Sequence, residues 1–137
     1  MATPTAPRPH ATFDAAARQD KPWGHEVVFA GGTHGYVGKL LTVRAEHALS
    51  LQFHRFKDET IHVVSGRATL EHYAEDTRSA TRSLSPGDTV HLPAGVRHRV
   101  RAVTDVLLVE ASTCAPGWAD DVVRLDDDYG RSGTTAR

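Results

Sequence analysis

The chain carries a single cysteine, Cys114. No disulfide can close within it, which fits a reducing compartment. No apolar run approaches the ~20 residues that a bilayer-crossing helix needs. The opening stretch MATPTAPRPHATFDAAARQ lacks a continuous apolar core and does not read as a secretory signal, so a cytoplasmic protein without membrane contact is the expectation. An excess of charge of either sign is also missing. Sixteen Lys and Arg face seventeen Asp and Glu, for a net charge of -1. Such a surface has no global field to recruit nucleic acid. Helical periodicity is absent before residue 115. At 137 residues with 39% hydrophobic content, the chain has room for one domain with a real core and no room for two.

What is abundant is histidine, nine in 137 residues, a bias toward metal binding or pH-sensitive chemistry. Short β-branched and aliphatic runs recur between Gly, Pro and Asp turns: HEVVFA, GYVGKLLTVRAE, LSLQFH, ETIHVV, RATLEHY, TVHLP, VRHRVRAV and DVLLVEAS. Strands at this spacing argue for an all-β sandwich or small barrel. Residues 1–18, rich in Pro, Ala and Thr, read as a mobile arm. Residues 19–131 read as the domain, and 132–137 as a frayed end. AEDTRSATRS (74–83) reads as a polar loop, and the acidic tail after Trp118 as a cover on the barrel exterior.

The chemistry concentrates in two stretches. In EHALSLQFHRFKDETIHVVSG (46–66), Gln52 and His54 are two apart in an alternating run and leave one face of a strand. Lys57-Asp58 breaks the run and Glu59 opens the next. Read as a tight antiparallel hairpin, the pair brings Gln52, His54 and Glu59 together. GDTVHLPAGVRH (87–98) repeats the form, with a Pro-x-Gly turn before His98. Two imidazoles, a carboxylate and an amide oxygen suit one divalent transition metal, zinc first, with Fe, Mn, Co and Ni as alternatives. A hydrogen-bonded polar quartet inside a metal-free barrel is the competing reading. Lys39 and Glu110 are candidate catalytic groups if their strands turn them inward. Lys39, Lys57 and His72 are candidate substrate contacts. Arg97, Arg99 and Arg101 read as a solvated basic stripe, His62 and His91 as structural, and Trp23 and Trp118 as anchors for terminal segments.

These stretches resemble the paired motifs of the cupin superfamily: Glu46, Gln52, His54, Glu59 and Gly66 in the first, Gly87, Pro93, Gly95 and His98 in the second. Lys21-Pro22-Trp23-Gly24, Lys39, Ser50-Leu51-Gln52, His98-Arg99, Val122-Val123-Arg124 and Asp127-Asp128-Tyr129-Gly130-Arg131 resemble in particular the C-terminal cupin domain of type II mannose-6-phosphate isomerases. The resemblance implies a single-domain jelly-roll β-barrel. It also implies metal ligands Gln52, His54, Glu59 and His98, and a metal-dependent isomerase acting on a sugar phosphate. One departure stands out: the R-x-E-H-W segment of that branch is Lys57-Asp58-Glu59-Thr60-Ile61 here. That variant is also similar to zinc cupins that join two amino acids through an N–N bond, a chemistry that requires a separate pathway enzyme as partner. A non-catalytic ligand-binding cupin is a further alternative. The resemblance implies a homodimer as well.

Overall fold

The computed structural model describes residues 3–73 and 79–135. Among these residues eleven strands form two antiparallel sheets. The first is ordered β1 (Ala17–Lys21), β2 (Gly24–Gly31), β3 (Tyr36–Val43), β10 (Val106–Thr113), β5 (Glu59–Ser65), β8 (Thr89–Leu92). The second is ordered β11 (Val122–Asp126), β4 (Leu51–His54), β9 (His98–Ala102), β6 (Ala68–Tyr73), β7 (Ser79–Leu84). The architecture is all-β, as the turn spacing predicts, with the two sheets of the jelly roll that the cupin resemblance implies.

Alternation puts one face of each strand inside. Val63 and Ile61 on β5, Leu108 and Val106 on β10, and Val100 and Leu70 on the facing sheet are almost wholly buried and pack as one core. That apolar plug fills one end of the barrel. Toward the other end the same inward rows change character: Ile61 gives way to Glu59, Leu108 to Glu110, Leu41 to Lys39, and Val100 to His98. Period-2 geometry therefore carries the polar groups into the same lumen as the core.

Several expectations need correction. β4 and β5 are not a hairpin: β4 pairs with β9 and β11, β5 with β10 and β8. Residues 55–58 instead cross from one sheet to the other, and residues 93–97 make a second crossing between β8 and β9. β5, which carries Glu59, thus lies in the sheet opposite β4 and β9, the neighbouring strands that carry His54 and His98. The expected polar loop lies outside the described residues from 74 to 78. From Ser79 onward it is strand β7, paired with β6 along its length. The tail is not a loose cover. β11 is an edge strand on β4, and beyond the expected domain end Gly133 and Thr134 bond back to Arg124. At the other end, β1 takes in Ala17 and Arg18, and residues 3–16 are exposed without secondary structure. The basic stripe is paired rather than solvated: Arg99 reaches Asp126 at 3.0 Å, Arg101 reaches Asp128 at 3.3 Å, and Arg97 lies over the Tyr73 ring.

The first crossing is held from outside. The Asp121 carboxylate accepts from the backbone N–H of Arg55 (3.1 Å), Phe56 (3.0 Å) and Lys57 (2.8 Å). Gly95 N–H donates to the His54 carbonyl at 2.7 Å, so the two crossings are tied to each other. Three N–H groups on one carboxylate hold its pKa below the usual range against the opposing effect of burial. Asp121→Ala leaves those donors without their acceptor, and the loss expected is about 2 kcal/mol. A thermal melt should show a Tm lower by several degrees. An unchanged melt would mean that the crossing is held by its other contacts.

Candidate metal centre

β4 delivers His54, the start of β5 delivers Glu59 and the start of β9 delivers His98, all three buried. Their ligand atoms lie within 4.8 Å of one another. Glu59 Oε1 is 3.1 Å from His98 Nε2 and 3.5 Å from His54 Nε2. The His98 Nδ1–H donates to the Val96 carbonyl at 2.9 Å, which fixes the tautomer and turns the Nε2 lone pair toward Glu59. Neither ring nitrogen of His54 has a hydrogen-bond partner, although the residue is buried. An orphaned imidazole beside a carboxylate is costly unless a cation completes it, so the residues present fit a metal ion. The His54–Glu59–His98 cluster can bind one.

Gln52 shares the His54 face of β4 and lines the same cavity, with its Oε1 accepting from the buried Ser50 hydroxyl at 2.7 Å. The cavity measures about 70 Å³ and is open on one side. Cations crowd it: Lys21, Lys39, Lys57, Arg124 and Arg131 are among its lining residues, with Glu26 and Glu110 the carboxylates. Trp118, from a turn of 3₁₀ helix (Trp118–Asp120), forms part of the wall, and the Lys39 ammonium lies 5.2 Å from its ring centre. It therefore does more than anchor a tail.

Sequence alone left open which way Lys39 and Glu110 point. Both point inward. They are register partners on β3 and β10. Lys39 Nζ is 2.7 Å from Glu26 and 3.9 Å from Glu110. Lys57, expected as a substrate contact, has its ammonium engaged by Glu59 Oε2 at 3.3 Å and Glu110 Oε2 at 3.2 Å. His72 is half-buried across the ladder from His98 and does not line the cavity. His62 and His91 lie on the outer face, bonded to Thr89 and Asp58. Glu26 and Asp121 escaped sequence reasoning. The only signal for Glu26 was a charge inside an otherwise apolar strand, EVV. Asp121, in an acidic tail, gave none.

These contacts set the protonation pattern. Burial raises the Glu110 pKa most, the Glu59 charge adds to it, and the carboxyl reaches about 7. Burial opposes ionisation of Glu59 too, but the His54 and His98 imidazoles beside it and the Lys57 charge hold it well below the usual value. For His98, burial is outweighed by Glu59 and the pKa rises, whereas burial lowers that of His54. His98 thus stabilises the fold fully below 6.5, and that contribution disappears as pH rises through its raised folded value. Glu110 keeps a proton to about 7 when folded but only to about 4.5 when unfolded, so its ionisation costs stability over that range. His54 works oppositely, and only below 6.5. Chelator-stripped protein should therefore lose stability as pH rises above 6.5, and Glu110→Gln should remove the part of the loss that falls below about 7. Urea titrations at each pH measure it. A stability that rises over this window would contradict the assignment.

The sequence pattern of the family described as "Mannose-6-phosphate isomerase C-terminal" matches residues 10–127. Among curated proteins, the chain is 28% identical over 127 residues to the xanthan biosynthesis protein XanB of Xanthomonas campestris pv. campestris, covering 86% of this chain and 26% of that protein. It is 30% identical over 114 residues to the mannose-1-phosphate guanylyltransferase ManC of Salmonella typhimurium, covering 81% and 22%. The chain thus spans about a quarter of the length of the curated relatives it matches. Among solved structures, oxalate decarboxylase from Bacillus subtilis superposes with a TM-score of 0.72 at 14% identity, over 85% of this chain and 33% of that one. CapF from Staphylococcus aureus gives 0.69 at 15%, over 82% and 34%. At such identity these two likenesses carry the fold alone. With motifs, barrel and family pattern in agreement, the chain belongs to the cupin superfamily, in the mannose-6-phosphate isomerase C-terminal family.

Proposed function

We propose that this chain is a metal-dependent cupin that interconverts an aldose phosphate and its ketose, mannose 6-phosphate being the first substrate to test. The observation that carries the reading is the cation-lined cavity that contains His54 and has the buried Glu110 carboxyl in its wall. Net positive lining favours an anionic ligand. At about 70 Å³ the enclosed space is well below the ~300 Å³ of pockets that swallow a whole ligand. The reducing end of the sugar enters, and the phosphate stays toward the half-buried Arg131 and its neighbour Arg124.

Isomerisation moves a proton from C2 to C1 of the open-chain sugar and another from hydroxyl to carbonyl oxygen, with no net oxidation. Glu110, poised between its two forms near pH 7, suits a group that takes and returns a proton. Lys39, fixed by Glu26 at 2.7 Å, offers a donor to a substrate oxygen. A divalent ion, zinc by donor type, held by His54, Glu59 and His98 with Gln52 adjacent, would supply Lewis-acid polarisation of those oxygens.

The departure after Glu59 does not count against this reading. Thr60 points outward, in register with Ala111 and His91, and Ile61 is core. Neither lines the cavity.

Zinc-loaded protein is expected to convert mannose 6-phosphate to fructose 6-phosphate and to lose the activity on chelation. His98→Ala should lose both the ion, by elemental analysis, and turnover. Glu110→Gln, held at saturating zinc, should lose about a hundredfold or more in kcat. A loaded protein that neither turns over nor binds any sugar phosphate in calorimetry would end the sugar-phosphate reading.

A further inference from the structure

Resting on the metal-centre reading above, we propose that Lys57 is a positioning residue that reserves Glu110. Its ammonium sits between Glu59 and Glu110 and keeps the second carboxylate out of the metal's ligand set. The Lys57 side chain is 4% exposed, so it does not meet solvent or an incoming anion freely. Its backbone is pinned at the sheet crossing by Asp121, which directs the side chain inward. Nζ contacts Oε2 of both carboxylates, at 3.3 Å and 3.2 Å, while Glu59 presents its other oxygen, Oε1, to the two imidazoles. One ammonium thus divides the labour of two carboxylates.

Among the described residues, no other cation lies as close to Glu110 as that ammonium. Its carboxyl shares the Lys57 ammonium with Glu59, and Lys39, at 3.9 Å, is already committed to Glu26 at 2.7 Å. A divalent ion attracts every buried carboxylate within reach, and a ligated Glu110 can no longer carry a proton to and from carbon. Lys57 opposes this twice: it satisfies Glu110, and it repels an ion on the far side of Glu59. The consequence runs against the usual expectation for a residue beside a ligand, because removing it tightens the metal.

The test is Zn²⁺ affinity of chelator-stripped protein, titrated against a chromogenic competitor, with Co²⁺ substitution to read ligand number from the visible spectrum. Loss of one positive charge 3.3 Å from the Glu59 ligand, at an effective dielectric near ~20, is worth at least about tenfold in affinity. Lys57→Met should therefore bind Zn²⁺ at least tenfold tighter than wild type, with weakened Co²⁺ absorption as a further ligand enters. Lys57→Arg, which keeps the charge, should stay near wild type in both. Glu110→Gln leaves Lys57 to draw on Glu59 alone and should bind roughly tenfold more weakly, a prediction that stands even if Lys57→Met does not fold. Unchanged or weaker Zn²⁺ binding by a folded Lys57→Met, or unchanged binding by Glu110→Gln, overturns the proposal and leaves the metal centre intact. A wild type that takes up neither ion overturns the metal centre itself.

Discussion

A buried file of alternating charges is the constraint on which the rest depends. Lys21, Glu26, Lys39, Glu110, Lys57 and Glu59 follow one another at separations between 2.7 and 3.9 Å, and the file ends on His98 and His54. A charge taken out of water is expensive unless its partner comes with it, and removing one member of such a pair leaves the other uncompensated. Every strand that contributes to the file is thereby fixed in register. A one-residue slip of β10 would turn Glu110 to the surface and place Val109 against two lysines.

The apolar half of the barrel makes this possible. Leu108, Val63, Val100 and their neighbours supply the stability of a close-packed core at one end, so the other end can hold groups that contribute little to stability by themselves. The inward row of β10 shows the division within one strand: Val106 and Leu108 belong to the core, Glu110 to the site. The two crossings between sheets then set the spacing across the lumen. Asp121 grips the first through three backbone N–H groups, and the hydrogen bond from Gly95 to His54 locks the second to it. Gly66, which closes the first motif, has φ of 82° and backs onto the Asp105 carbonyl so closely that a Cβ would lie 2.0 Å from that oxygen. Only glycine meets both conditions.

The sequence by itself determined the fold class, because period-2 alternation and turn residues are local signals, and it determined which residue types cluster, because motif spacing survives any packing. His54, Glu59 and His98 were readable in that way. What it could not determine was anything that depends on which strands become neighbours. A tight hairpin at 55–58 is the local inference, yet the tertiary structure splits β4 and β5 between sheets, β4 pairing with β9 and β11 and β5 with β10 and β8. Lys57 reads from the sequence as a substrate contact and is instead enclosed by two carboxylates, one of them 53 positions away. Glu26 and Asp121 matter only through contacts with distant residues. Local physics wrote the strands and the ligand types; long-range pairing of buried charges decided where each of them points.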